Sequence, residues 1–292
     1  MQIRANNIWL EYDTFGDREA TPLLLISGLN TPMTRWTGNF CAQLASRGYF
    51  VIRYDNRDCG LSEHFDAYQL CSGTRLLLSR LLGMKTSVPY TLMDMVQDGV
   101  ALLDALGIQQ AHVVGRSMGG MIALLMAAYY PDRVSRLSVI MTSTGNRIRS
   151  LPSVDVMRHL FARKPNPQKN LAGYLRYRIA YSKAIGSKKY PLDDFYIRSR
   201  VVGDLKRSGF HPGAARRQLA ALLAAGDITE VIRTIKVPAS VIHGDADPLV
   251  PLRCGLDVHR HLTNAHLTVI KEMGHALQPE FYDQIITAML DR

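Results

Sequence analysis

HVVGRSMGGMIALLMAAYYP, residues 112–131, passes from a short β-branched apolar run through Gly115-Arg116-Ser117-Met118-Gly119 into a long apolar segment of helical character. A turn from strand to helix this abrupt forces residue 117 into a strained backbone conformation. Side chains two positions to either side would then collide unless they were small. Gly115 and Gly119 meet that demand. The turn lifts the Ser117 hydroxyl clear of the strand ends and sets it at a helix amino terminus, where unpaired N–H groups favour developing negative charge. This is the pattern of a nucleophile elbow.

Outward from the elbow, short β-rich apolar runs alternate with longer segments of helical period, which predicts an α/β fold with a mostly parallel sheet flanked by helices. Strands are expected over 7–12, 23–27, 50–55, 111–115, 136–142, 239–244 and 267–271, and helices over 36–48, 92–107, 118–130, 251–261 and 279–290. The alternation stops across 145–235, where Arg, Lys, Tyr, Pro and Leu mix in helix-like segments without a convincing strand. Those residues are expected to form an inserted helical cap on a core made of 1–144 and 236–292. Placed between two sheet strands, the cap would lie over their carboxyl ends, where open α/β sheets bind ligands.

A serine hydroxyl needs a base to take its proton during attack, and that base needs an acid to orient it. Of nine histidines, His275 in KEMGHALQPEF stands between the last expected strand and the final helix, on a loop over the same sheet edge. His112 and His243 fall on strands, and His259, His261 and His266 on a helix or its exit, where packing and surface roles suffice. HGDADPLVP presents two acids at a strand's carboxyl end. Asp247 is the expected partner of His275, and Asp245, nearer the strand, is expected to brace the turn backbone. The order Ser117, Asp247, His275 is that of a strand–elbow–helix hydrolase. An oxyanion formed on attack requires preorganised donors. The Met118 N–H supplies one, and the turn Ser27-Gly28-Leu29-Asn30 points to the Leu29 N–H as the other.

The chain has 292 residues, a formal net charge of +10, and 18 Lys or Arg against 6 Asp or Glu within 145–235. The rest is close to neutral, so the excess is local. Anionic substrates, an anionic surface or a solvated helix face would each account for it. Nothing matches a zinc finger, a phosphate-binding GxxxxGK loop or a nucleic-acid motif, so no metal, organic cofactor or nucleic-acid partner is expected. Cys41, Cys59, Cys71 and Cys254 are widely spaced and read as reduced thiols, a Cys59–Cys71 bridge being the alternative. The first thirty residues carry no apolar run of signal-peptide type, and no stretch is apolar for the roughly 20 residues of a membrane span, so a cytoplasmic location is expected. Oligomeric state is left open.

Through SGLN, RYDNRDCGLSE, LLDALGI, VVGRSMGGM, VIHGDADPLVP and MGHAL, the chain resembles the α/β-hydrolase superfamily from about Leu23 to its C-terminus. Asn56-Arg57-Asp58, followed by Gly60 and Ser62, is similar to a bacterial serine esterase subgroup that includes anthracycline methylesterase-like proteins. The resemblance implies an α/β-hydrolase fold and hydrolysis of a small-molecule carboxylic ester without a cofactor. Ser27 departs from the histidine usual in the oxyanion turn, and Cys59 stands in a loop often rich in glycine. Asp55, Arg57 and Asp58 are expected to brace that loop as a buried charge set. Haloalkane dehalogenases resemble this outline but place aspartate where Ser117 stands. Carbon–carbon bond hydrolases of the meta-cleavage type share the order and elbow and are the alternative activity. A non-catalytic ligand-binding protein on the same scaffold is the alternative of another class.

Overall fold

A computed structural model of the chain describes residues 1–68, 70 and 88–291. Strands β1 (Gln2–Ala5), β2 (Ile8–Phe15), β3 (Thr21–Ile26), β4 (Tyr49–Tyr54), β5 (Ala111–Arg116), β6 (Val134–Ile140), β7 (Ala239–Gly244) and β8 (Ala265–Ile270) form one sheet in the order β1-β2-β4-β3-β5-β6-β7-β8. The β1–β2 and β2–β4 pairs are antiparallel and all others parallel. This is the expected fold class. The sequence reading missed β1, a four-residue edge strand with little apolar character. Its hairpin to β2 turns on Asn6 and Asn7, both at positive φ (49° and 62°), as a two-residue hairpin turn of this hand requires.

The buried strands carry side chains to both faces with a period of two. Leu24, Ile26, Ile52, Val113, Val139 and Val241 enter one core, and Leu23, Leu25, Val51, Val114, Ile140 and Ile242 the other. The first core is closed by α2 (Leu92–Ala105), α3 (Met118–Tyr129) and Val258 of α9 (Leu252–His261); the second by α1 (Gly38–Ala45) and α10 (Tyr282–Leu290). Helix α3 is buried from Met118 to Ala127, which explains why its sequence is apolar all round rather than striped. Helix α2 begins with a capping box in which Thr91 and Asp94 satisfy each other's backbone N–H. Strand order reverses at β3, which has β4 on one side and β5 on the other, so the loops leaving β3 and β5 flank the crevice where the site lies.

Between β6 and β7 the described chain is helical: α4 (Val154–Phe161), α5 (Leu171–Ile185), α6 (Asp194–Ser208), α7 (Ala214–Ala225) and α8 (Thr229–Ile232). Helices α5 and α6 share a small core of Tyr174, Leu175, Ile197 and Val201. The later part of the insert joins the first main core instead, through Ala221, Ile228, Ile232 and Ile235. Arginines from the insert reach into the body. Arg207 of α6 donates to Asp55 at 2.7 Å, and Arg217 of α7 makes two bonds to Asp58, at 2.7 and 2.6 Å, and one to Asp66 at 2.6 Å. Part of the basic excess is therefore spent on buried carboxylates of the loop after β4. No helix among the described residues is long and apolar enough to cross a membrane. Cys41, Cys59 and Cys254 are buried free thiols, whereas Cys71 lies outside the described residues.

Burial disfavours a charged Asp58. The hydrogen bonds from Arg217, His64, the Phe65 N–H and Tyr90 outweigh it and hold the carboxyl well below the usual range. Removing Arg217, which is only 2% exposed, strands a carboxylate that has no access to water. Arg217→Met is expected to lower unfolding stability by about 3–5 kcal/mol, with Asp58→Asn in the same chain restoring part of it. Denaturant melts of the single and double variants measure this. Because the Asp58 pKa is depressed on folding, its stabilisation is complete above the unfolded value of about 4 and is lost as pH falls below it. The wild-type protein should therefore lose its advantage over Arg217→Met in acid.

Candidate active site

Strand β5 ends at Arg116, α3 begins at Met118, and Ser117 between them has φ 53° and ψ −125°. The glycines at its flanks are required by packing against backbone. A methyl group on Gly115 would overlap the Gly119 carbonyl, and one on Gly119 would overlap the Ile26 carbonyl at the end of β3. The strained residue is held from both sides. Its N–H donates to Ile140 O at 2.9 Å, and its carbonyl accepts from Gly120 N at 2.9 Å and from the Thr142 hydroxyl at 2.7 Å. Thr142, on the loop after β6, was not singled out from sequence because nothing local marks it.

The loop after β8 carries His275, whose backbone N–H donates to Ile185 O at the end of α5. Its Nε2 lies 3.1 Å from Ser117 Oγ and its Nδ1 lies 2.7 Å from Asp247 Oδ2. Asp247 has its other oxygen, Oδ1, occupied by the Leu249 and Val250 N–H groups, each at 2.9 Å. Its carboxylate is thereby fixed with one oxygen free for the imidazole. The three side chains expected to meet form one hydrogen-bonded chain. Asp245 accepts from the Glu272 N–H at 2.6 Å, tying the Asp247 loop to the His275 loop. It braces backbone rather than joining the triad, but the backbone is that of the neighbouring loop and not of its own turn.

His266, expected at a helix exit, lies exposed on β8, and the two histidines expected on strands are buried there in packing contacts. His112 Nε2 bonds the Ser138 hydroxyl at 2.8 Å, and burial, with Arg136 nearby, pushes its pKa down to about 3. His243 Nε2 donates to Val250 O at 2.7 Å and stands 3.9 Å from Asp247 Oδ2, with burial again lowering its pKa. Both are therefore neutral at physiological pH.

The turn after β3 lies against the serine. A Cβ on Gly28 would stand 3.2 Å from Ser117 Cβ and 3.6 Å from its Oγ. Neither the Leu29 nor the Met118 N–H donates to an acceptor among the described residues. The turn is held by side chains from afar: Asn56 Nδ2 donates to Ser27 O at 2.9 Å, and Asn30 N donates to Gln218 Oε1 at 2.6 Å. Gln218 of α7 also donates to Arg57 O at 2.7 Å. It is fully buried and couples the insert, the β3 turn and the β4 loop. The reading from sequence passed over it, since its partners are remote along the chain.

Asp55, Arg57 and Asp58 form the expected brace. Asp55 accepts from the Met33 and Leu61 N–H groups, and Arg57 makes two bonds to Asp98, at 2.7 and 2.6 Å. His64, Asp66 and His211 bring potential metal-ligating atoms within 4.8 Å of one another. Arg217 already pairs with Asp66, the imidazole rings stack at 3.4 Å, and each ring's Nε2 contacts a backbone carbonyl. The group has the makeup of an ionic clasp, and none of its members bonds Ser117, Asp247 or His275.

The family model described as the alpha/beta hydrolase fold matches residues 21–282, and the chain belongs to that family. A rhodomycin D methylesterase of Streptomyces sp. (strain C5) is 25% identical to it over 98% of this chain and 95% of its own. A 3-oxoadipate enol-lactonase of Acinetobacter baylyi is 24% identical over 99% and 96%. The solved structure of a meta-cleavage product hydrolase from Pseudomonas fluorescens matches with a TM-score of 0.75 at 20% identity, covering 100% of this chain and 97% of that one.

The conformation of Ser117 has a measurable cost. Glycine adopts such a backbone freely, whereas alanine keeps the strain, so Ser117→Gly is expected to be more stable than Ser117→Ala by about 1 kcal/mol after glycine's own entropy loss. Paired thermal melts, with the Gly variant melting a few degrees higher, check this.

Proposed function

We propose that this protein is a serine hydrolase of small-molecule carboxylic esters, with Ser117 as nucleophile, His275 as general base and Asp247 as the acid that orients it. The observation that carries the reading is the unbroken contact from Asp247 Oδ2 through His275 to Ser117 Oγ, ending on a strained serine at a helix amino terminus. His275 Nε2 takes the Ser117 proton as Oγ bonds to the ester carbonyl carbon. The oxyanion is received by the Met118 and Leu29 N–H groups, which have no other acceptor among the described residues. The proton passes to the departing alkoxide, leaving an acyl-enzyme. Water, deprotonated by the same imidazole, then releases the acid and restores the serine. The reaction closes without a metal or organic cofactor. Residues 145–235 act as the cap, with the end of α5 holding the His275 loop.

The relatedness to a methylesterase and an enol-lactonase supports acyl-oxygen cleavage. Carbon–carbon bond hydrolysis is the second reading, supported by 28% identity over 97% of this chain and 90% of its own to a 2-hydroxy-6-oxononadienedioate/2-hydroxy-6-oxononatrienedioate hydrolase of Paraburkholderia phymatum. Hydrolysis of a p-nitrophenyl ester series from acetate to palmitate, with a meta-cleavage dienoate in parallel, separates the two. Ester turnover is expected, and Ser117→Ala should lower it by about four orders of magnitude or more while leaving the fold intact. A preference for the dienoate would transfer the protein to the second reading. Full ester activity in Ser117→Ala would remove the mechanism.

A further inference from the structure

The turn after β3 stands against the nucleophile, a Cβ on Gly28 lying only 3.2 Å from Ser117 Cβ. The Leu29 N–H belongs to the Gly28–Leu29 peptide, and neither the N–H nor the C=O of that peptide is hydrogen-bonded among the described residues. The peptides on either side are pinned. In the one before, the Ser27 carbonyl accepts from Asn56 Nδ2 at 2.9 Å. In the one after, the Leu29 carbonyl accepts from Thr31 Oγ1 at 2.9 Å, and the Asn30 N–H donates to Gln218 Oε1 at 2.6 Å.

A peptide plane is rigid, so the Gly28–Leu29 unit turns only about the Cα atoms that join it to these two neighbours. Gly28 has no side chain to resist the rotation, and Asn30 holds a positive φ of 49°, so local preference does not fix the turn. Side chains fix it instead. Asn56 and Thr31 belong to the body, whereas Gln218 comes from α7 of the insert and is fully buried. Its amide is oriented: Nε2 donates to Arg57 O at 2.7 Å, which leaves Oε1 for the Asn30 N–H. Arg217 ties the same turn of α7 to the body through Asp58. Asn30 is itself exposed, so water can take the place of Gln218 Oε1 once α7 lifts. The plane beside the Leu29 N–H is then free to rotate.

We propose that the insert completes the oxyanion hole: Gln218 is a positioning residue that holds the Leu29 N–H toward Ser117, so the hole is assembled only when α7 is seated on the body. The inference rests on the serine-hydrolase reading, because acyl transfer is what calls on that amide. A substrate that seats the insert thereby also assembles the donor that its transition state needs.

The trifluoromethyl ketone 1,1,1-trifluoroheptan-2-one tests this. Ser117 Oγ adds to its carbonyl carbon, the carbonyl oxygen becomes the oxyanion, and the serine proton passes to His275, so its inhibition constant reads the hole. Gln218→Met keeps the volume and removes both hydrogen bonds. In that variant the inhibition constant is expected to rise about tenfold or more, and kcat for p-nitrophenyl butyrate to fall by a similar factor, with KM within about twofold. Gln218→Glu, which keeps an oxygen for the Asn30 N–H, should stand closer to the wild type in both. Gln218→Asn, too short to reach, carries the test if Gln218→Met does not fold. Melting temperatures recorded beside the kinetics separate packing from positioning. Ketone affinity and kcat that stay at the wild-type level in a folded Gln218→Met, or a loss confined to KM, overturn the proposal and leave the hydrolase standing. Equal losses in Gln218→Met and Gln218→Glu that follow their melting temperatures assign Gln218 to packing and overturn it too. Wild-type protein that neither hydrolyses the ester nor binds the ketone removes the serine-hydrolase reading, and this inference with it.

Discussion

The close approach of backbone to backbone at the start of α3 is the constraint on which the rest depends. Gly119 rests on the Ile26 carbonyl and Gly115 on the Gly119 carbonyl, so β3, β5 and α3 meet with no side chain between them. That contact brings the β3 turn against Ser117, holds the serine at φ 53°, and fixes the level at which the loops after β7 and β8 must deliver Asp247 and His275. A side chain at either glycine would push the helix off the sheet edge and disperse the site. The strain is held by Ile140 O, Gly120 N and Thr142, and by a helix buried along most of its length.

Charge organises the second layer. The loop after β4 buries Asp55 and Asp58, and the insert answers with Arg207 and Arg217, so the body's acids and the insert's bases form a seam between them. Buried pairs of this kind contribute less to stability than to geometry, because desolvation offsets much of the attraction. Here the geometry is the point: the same seam carries Gln218, which sets Asn30 and with it the Leu29 N–H. The arginines at Arg35, Arg116, Arg178 and Arg200 differ from those of the seam. Arg35 meets Asp204, whereas Arg178 and Arg200 meet uncharged acceptors, the Tyr174 and Tyr196 hydroxyls and Thr34 O.

The alternation of strand and helix was legible because it is local. Val113 and Val114 read as a buried strand and Met118–Tyr129 as a buried helix from their own composition, and Gly115 and Gly119 mark the turn between them. His275 and Asp247 were found by a different route, from their positions just past apolar runs, since the carboxyl ends of parallel strands share one edge. The choice of Asp247 over Asp245 followed the same logic, with the acid nearer the strand left to the turn backbone. Strand β1 escaped because an edge strand of four residues needs no apolar pattern, although Asn6-Asn7 carries a turn signal.

From the sequence alone came the fold class, the elbow and three candidate side chains in their order, because each is written in residues adjacent along the chain or in a repeat of short period. Tertiary structure decided what depends on distance through space. Thr142 under the Ser117 carbonyl, Gln218 on the Asn30 N–H 188 residues away, and the sorting of the insert's arginines into those that meet carboxylates, Arg207 and Arg217, and those that meet uncharged acceptors, Arg178 and Arg200, are of that kind. No local pattern records them. A hydrogen bond or a missing counter-ion is a property of two or more groups whose separation only the packed sheet and helices set.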